Sequence, residues 1–210
     1  MILYGHAVSS ASYRVRIALA LKSLPVTSVL LDLRAGEQRL EEFLQINSQG
    51  LVPALSLDDG AVLTQSMAII EYLDEIYPEP PLLPQAPLAR ARVRALTQAI
   101  TCDVHPLNNL RVLQYLETDL QHDKAARETW YRHWVQLGFD ALERWLVRDG
   151  ATGRFCHGDA PTMADVCLVP QVFNARRFAV DLRPYPCIVN IDAACREMPE
   201  FQGAAPDRQG

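Results

Sequence analysis

The spacing of hydrophobic positions along this chain changes once. Up to about residue 78, short apolar runs alternate with amphipathic stretches. Residues 1–4 and the β-branched, leucine-rich stretch 26–33 predict strands, and residues 11–22 and 36–45 predict helices. The distinction rests on period: strand side chains alternate faces, whereas a helix gathers every third and fourth residue on one face. Two further short strands, 54–57 and 61–63, flank Asp58-Asp59-Gly60, a good hairpin turn. A helix over 65–76 closes this half.

The order βαβ then ββα is that of a thioredoxin-like α/β domain, assigned to residues 1–78. Residues 77–84, Tyr-Pro-Glu-Pro-Pro-Leu-Leu-Pro, with Pro87 just beyond, cannot form a helix interior because proline lacks the N–H and clashes with the preceding turn. Residues 79–88 therefore read as a linker. Beyond them the apolar spacing lengthens, as in Ala91-Val93-Leu96-Ile100 and Trp134-Leu137-Phe139-Leu142-Leu146, and few strand candidates remain. Residues 89–210 are predicted to be an all-helical domain, with a loose polar tail after Phe201.

Composition narrows the partners. A net charge of −5 argues against nucleic acid as a main partner, and means that an anionic ligand needs a local cluster of arginines. No apolar stretch is long enough to span a membrane, and the start lacks the pattern of a signal peptide. Cys102, Cys156, Cys167, Cys187 and Cys195 are odd in number and never form a CxxC pair. They read as free thiols in a reducing cytoplasm. Cys102 and His105 have ligand-like spacing, but no second soft pair accompanies them, so no metal site is expected.

Several segments carry candidate chemistry. Ser9 and Ser10 open the first helix, where unpartnered N–H groups and the helix dipole favour an anion and a hydroxyl can hydrogen-bond a thiolate. Ser66 opens the helix after Thr64-Gln65; its hydroxyl and N–H suit a carboxylate, or serve only as a cap. Thr162-Met-Ala-Asp165 is a capping box that fixes the start of a buried helix. His105 and Asn109 stand four residues apart, on one face of a helix that Pro106 is expected to kink; they either contact a ligand or serve local backbone. Arg176 and Arg177 offer guanidinium forks for a carboxylate, and about 100° of helix rotation separates them, so one at most faces a given site.

Taken together these segments, over residues 1–199, make the chain resemble the zeta-class glutathione transferases, which include maleylacetoacetate and maleylpyruvate isomerases. The resemblance implies glutathione as cofactor, bound in a cleft between the domains of a homodimer. It places a cis-proline in Gly50-Leu-Val-Pro53, presenting the backbone of Val52 to the peptide, and gives Gln65 and Ser66 the γ-glutamyl end. Gln49 matches a position that contacts the glycyl end, where His105 and Asn109 are also expected. Ser9, helped by Ser10, is implied to stabilise the thiolate, and Arg176 or Arg177 to hold the acid group of a dicarboxylic keto acid. The implied activity is cis–trans isomerisation of a maleyl keto acid in aromatic or tyrosine catabolism.

Two departures matter. The serine motif of the family usually continues with cysteine, and here Ala11 follows, which leaves thiol activation to the serines and the helix end. Val8 stands where some maleylpyruvate isomerases have arginine. A transferase that consumes glutathione on small electrophilic acids, and a non-catalytic binding module of the same fold, are the alternative readings.

Overall fold

The computed structural model describes residues 1–209, which divide into two compact units: Met1–Leu82 together with the segment from Glu197 onward, and Leu83–Arg196. The first break falls inside the predicted linker. The second departs from expectation, because the C-terminal segment returns to the first unit.

In the first unit β1 (Ile2–Gly5), β2 (Thr27–Leu30), β3 (Ala54–Ser56) and β4 (Val62–Thr64) form one sheet in the order β2-β1-β3-β4. β1 pairs parallel with β2 and antiparallel with β3, with Tyr4 opposite Ala54, and β3 pairs antiparallel with β4, Ala54 opposite Thr64. This is the thioredoxin-like arrangement. Helix α1 (Ser10–Leu21) starts where Ser9 Oγ accepts the Ser12 N–H, and ends at Ser23, whose φ of 54° lets Leu24 N–H reach Leu19 C=O. α1 lies so close to β1 that a Cβ added at Gly5 would stand 3.1 Å from Ser12 Oγ. The predicted helix over 36–45 is instead a 3₁₀ turn, Glu37–Arg39, and one helical turn, α2 (Glu41–Leu44), separated by extended Leu40. Neither piece has an apolar face long enough to propagate a helix from a costly nucleus. α3 (Ser66–Ile76) completes the unit before the proline-rich stretch.

A lysine locks that stretch in place. Lys22 Nζ donates to Asp74 Oδ1 at 2.7 Å and to the carbonyls of Tyr77 and Pro80, each at 2.6 Å, while Asp74 also accepts the Leu82 N–H. The tail is not loose: α9 (Pro199–Ala204) buries Phe201 and Ala204 against α1, Tyr13 Oη donates to Phe201 C=O, and Arg16 Nε donates to Ala204 C=O at 2.9 Å.

The second unit is helical: α4 (Pro87–Gln98), α5 (Leu110–Thr118), α6 (Lys124–Arg148), α7 (Met163–Arg177) and α8 (Pro186–Arg196). α4 runs into a π-helical turn, Ala99–Val104, and then a 3₁₀ turn, Pro106–Asn108. Pro106 has no N–H to continue the ladder, and the chain rewinds around it. The π turn packs against α6 at Gly138, where a Cβ would come within 2.2 Å of Val104 Cγ2. α7 begins with the predicted capping box: Asp165, fully buried, accepts the N–H groups of Thr162 and Cys156 and the Thr162 hydroxyl. Burial raises its carboxyl pKa despite those donors. No described helix is long and apolar enough to cross a membrane.

Candidate active site

The first unit gathers most of the predicted positions at one end of its sheet, around the starts of α1 and α3. Ser9 is half-buried, extended at φ −71°, ψ 119°, and its Oγ already accepts the Ser12 N–H. The hydroxyl hydrogen therefore remains to be donated to another acceptor. Ser10 lies one residue inside the helix and is buried, so Ser9 is the more accessible hydroxyl. Ala11, also buried, adds no chemistry.

The Val52–Pro53 bond is cis. The preceding turn is shaped by Asn47, whose Nδ2 donates to Leu51 C=O at 2.6 Å while its Oδ1 accepts the Gln49 N–H at 3.1 Å. Gln49 and Gln65 meet, with Gln65 Nε2 donating to Gln49 Oε1 at 2.8 Å. Gln65 has φ 68° and ψ 116°, backbone values that a residue with a Cβ adopts only at a cost of about 1–3 kcal/mol. It is the residue just before Ser66. The start of α3 has no side-chain cap and no acidic residue in its first turn, so its N–H groups and the Ser66 hydroxyl form an electropositive donor set. A thiolate at α1 and a carboxylate at α3 both suit these donors, and a γ-glutamyl peptide bearing a thiol carries both groups.

Two arginines of α1 support this end of the unit, and sequence reasoning missed both. Arg16, buried, donates to His6 C=O at 3.4 Å, to Ala7 C=O at 2.8 Å and to Ala204, and so ties the loop leading to Ser9 to the C-terminal helix. Desolvation lowers its pKa to about 10. Arg14 donates to Ser66 Oγ. The available signal was two charges inside an apolar, alanine- and leucine-rich helix.

In the second unit the arrangement differs from the helical face expected for His105 and Asn109. His105 ends the π turn, whereas Asn109 is extended at φ −65°, ψ 150° and caps α5 by accepting the Arg111 N–H. The 3₁₀ turn between them removes the four-residue register, and Asn109 is engaged as a cap. The two arginines are distinguished as well. Arg176 Nη2 pairs with buried Asp192 at 2.6 Å. Burial raises the Asp192 pKa, and Arg176 opposes that shift. Arg177 is exposed, lies 5.8 Å from the ring centroids of Phe173 and Phe178, contacts Asn174 at 3.4 Å and has no ion pair among the described residues. Arg177 is the guanidinium left available to a carboxylate. Among the described residues no group of three or more His, Cys, Asp or Glu side chains could hold a metal ion.

A thioredoxin-like unit with serine-led helix starts and a cis-proline, followed in the chain by an all-helical unit, defines a glutathione-binding class of protein. The family model described as Glutathione S-transferase, N-terminal domain matches residues 8–76, and that described as Glutathione S-transferase, C-terminal domain matches residues 128–197. The chain belongs to the glutathione S-transferase family, in its zeta class. It is 51% identical over 207 residues to a maleylacetoacetate isomerase from Rhizobium meliloti, covering 99% of this chain and 96% of that one. Among solved structures, a holo maleylpyruvate isomerase described as a bacterial zeta-class glutathione S-transferase superposes with a TM-score of 0.97 at 48% identity, covering 100% and 98% of the two chains. A maleylacetoacetate isomerase from Methylobacterium extorquens AM1, with bound malonate and glutathione, superposes with a TM-score of 0.98 at 41% identity, with coverage of 100% and 98%.

Proposed function

We propose that this protein is a glutathione-dependent cis–trans isomerase of a maleyl keto acid, converting maleylacetoacetate or maleylpyruvate to its fumaryl isomer. The observation that carries the reading is the paired helix starts, Ser9 at α1 and Gln65-Ser66 at α3, in a chain about half identical to a maleylacetoacetate isomerase along nearly its whole length. In this reading the donors at α3 hold the γ-glutamyl carboxylate, Gln65 with Gln49 and the backbone of Val52 hold the peptide, and His105 serves the glycyl end.

Glutathione, when bound, would supply the thiolate nucleophile for reversible addition to a cis double bond conjugated with a carbonyl. The residues of the chain make this possible. Ser9 donates its hydroxyl hydrogen to the sulfur, and the α1 N-terminus adds positive potential. Lowering a thiol pKa from about 8.5 to neutrality needs roughly 2–3 kcal/mol, within reach of one charge-assisted hydrogen bond plus a helix terminus. Arg177 holds the carboxylate remote from the double bond, which fixes the reacting carbon without taking part in bond making. Negative charge developing on the substrate carbonyl oxygen is met by N–H and hydroxyl donors at the α1 start.

Binding of small-molecule ligands such as glutathione and malonate by relatives supports this reading. A homodimer in the reducing cytoplasm completes it, and light scattering of purified protein tests the dimer. The activity is tested by following the cis-to-trans absorbance change of each maleyl acid with and without glutathione. Turnover that depends on glutathione supports the isomerase; no turnover of either acid refutes it.

A further inference from the structure

Arg14 is a charged residue with 1% exposure, on α1 one helical turn beyond the serines, and its Nη1 donates to Ser66 Oγ at 3.4 Å. Removing a guanidinium from water is costly, and Arg14 is held where one of its N–H groups meets the hydroxyl that opens α3. A hydroxyl carries one hydrogen and two lone pairs. With a lone pair of Ser66 occupied by a cation, its hydrogen is directed to a different acceptor and the O–H bond is polarised. Ser66, itself buried, is the first residue of α3, where the positive end of the helix dipole has the same sign of potential.

We propose that Arg14 is a positioning residue for ligand specificity: through Ser66 it sets the start of α3 to accept only a ligand with a carboxylate there, the α-carboxylate of a γ-glutamyl group. The inference rests on the glutathione reading and deepens it, because it says which end of the peptide is selected and by what. Ser66 alone would offer a donor that is equally content as an acceptor. Ser66 backed by Arg14 is a donor with a full positive charge behind it.

The test is isothermal titration of wild type, Arg14→Met, Arg14→Lys and Ser66→Ala with glutathione and with an analogue whose γ-glutamyl α-carboxylate is replaced by hydrogen. In wild type glutathione binds at least about tenfold more tightly than the analogue, as loss of a charge-assisted contact requires. Arg14→Met and Ser66→Ala bring that ratio close to one, chiefly by weakening glutathione. Arg14→Lys retains part of the preference, because the charge stays while the fork is lost. A merely structural role lowers both affinities together and leaves the ratio at its wild-type value in Arg14→Met; that result overturns the proposal. If Arg14→Met does not fold, Arg14→Lys decides: a ratio reduced by about threefold or more supports the proposal, and the wild-type ratio overturns it. Failure of wild type to bind glutathione at all is a separate outcome, which removes the glutathione reading along with the inference.

Discussion

Arg176 and Arg177 are neighbours in sequence with opposite expected consequences. Replacing Arg176 by alanine leaves the Asp192 carboxylate, 1% exposed, with only Arg196 at 4.0 Å. Breaking a fully buried pair costs about 3–5 kcal/mol, and because the Arg176 side chain is 39% exposed the loss is set lower, at about 2 kcal/mol. For a chain of this length that lowers Tm by about 4–8 °C. Isomerisation at saturating substrate stays near wild type at temperatures where the variant is folded. Arg177→Ala does the reverse. It removes one charge-assisted contact to a substrate carboxylate, about 1.5–3 kcal/mol, so kcat/KM falls about 10- to 150-fold while Tm moves little. The pH dependence follows from Asp192. Its folded pKa is raised, so the fold favours the neutral acid, and the cost of ionising it in place is present above the folded pKa and vanishes below the unfolded one. Arg176 offsets part of that cost. The stability gap between wild type and Arg176→Ala is therefore widest near neutrality and shrinks as pH falls through the range where Asp192 protonates. Chemical denaturation across pH measures the gap, and steady-state kinetics measure the rest. Arg176→Ala with full stability and lost activity, or a gap that widens in acid, refutes the assignment.

Ser9→Ala removes the hydrogen bond to the thiolate and lowers kcat/KM about 10- to 150-fold, with a cap loss of only about 1 kcal/mol in a denaturation curve. Lys22→Met leaves Asp74 without its cation and two carbonyls without their donor and costs about 3–5 kcal/mol by urea unfolding, with much of it recovered in Lys22→Met/Asp74→Leu. Gly138→Ala drives a methyl into Val104 and destabilises by about 1–3 kcal/mol; adding Val104→Ala relieves most of that loss.

The fold was readable wherever period and punctuation agreed. The hairpin at Asp58-Asp59-Gly60, the proline-rich break and the Thr162–Asp165 box are local signals, and each stands in the structure where the sequence placed it. Signals that depend on tertiary partners were not readable. The helix expected over 36–45 had propensity but, apart from Phe43, no apolar face to bury. The C-terminal segment looked polar, yet Phe201 and Ala204 dock on α1 because Tyr13 and Arg16 wait there for its carbonyls. His105 and Asn109 were read as one helical face because a four-residue spacing cannot reveal that Pro106 rewinds the chain between them. The choice between Arg176 and Arg177 depended on Asp192, fifteen residues or more downstream and on another helix. Lys22 was silent because a buried charge at a helix end looks like any other charge until its partners are known, and Arg14 gave only the faint signal of a charge within an apolar helix.

An isomerase of this kind returns its glutathione unchanged. Purified protein is given each maleyl acid in large excess over glutathione, conversion is followed to completion, and free glutathione is then quantified by mass spectrometry. Full conversion to the fumaryl isomer is expected, with many turnovers per glutathione and the starting glutathione recovered. Conversion that stops as glutathione is used up, with a conjugate accumulating in its place, contradicts it and makes the protein a transferase.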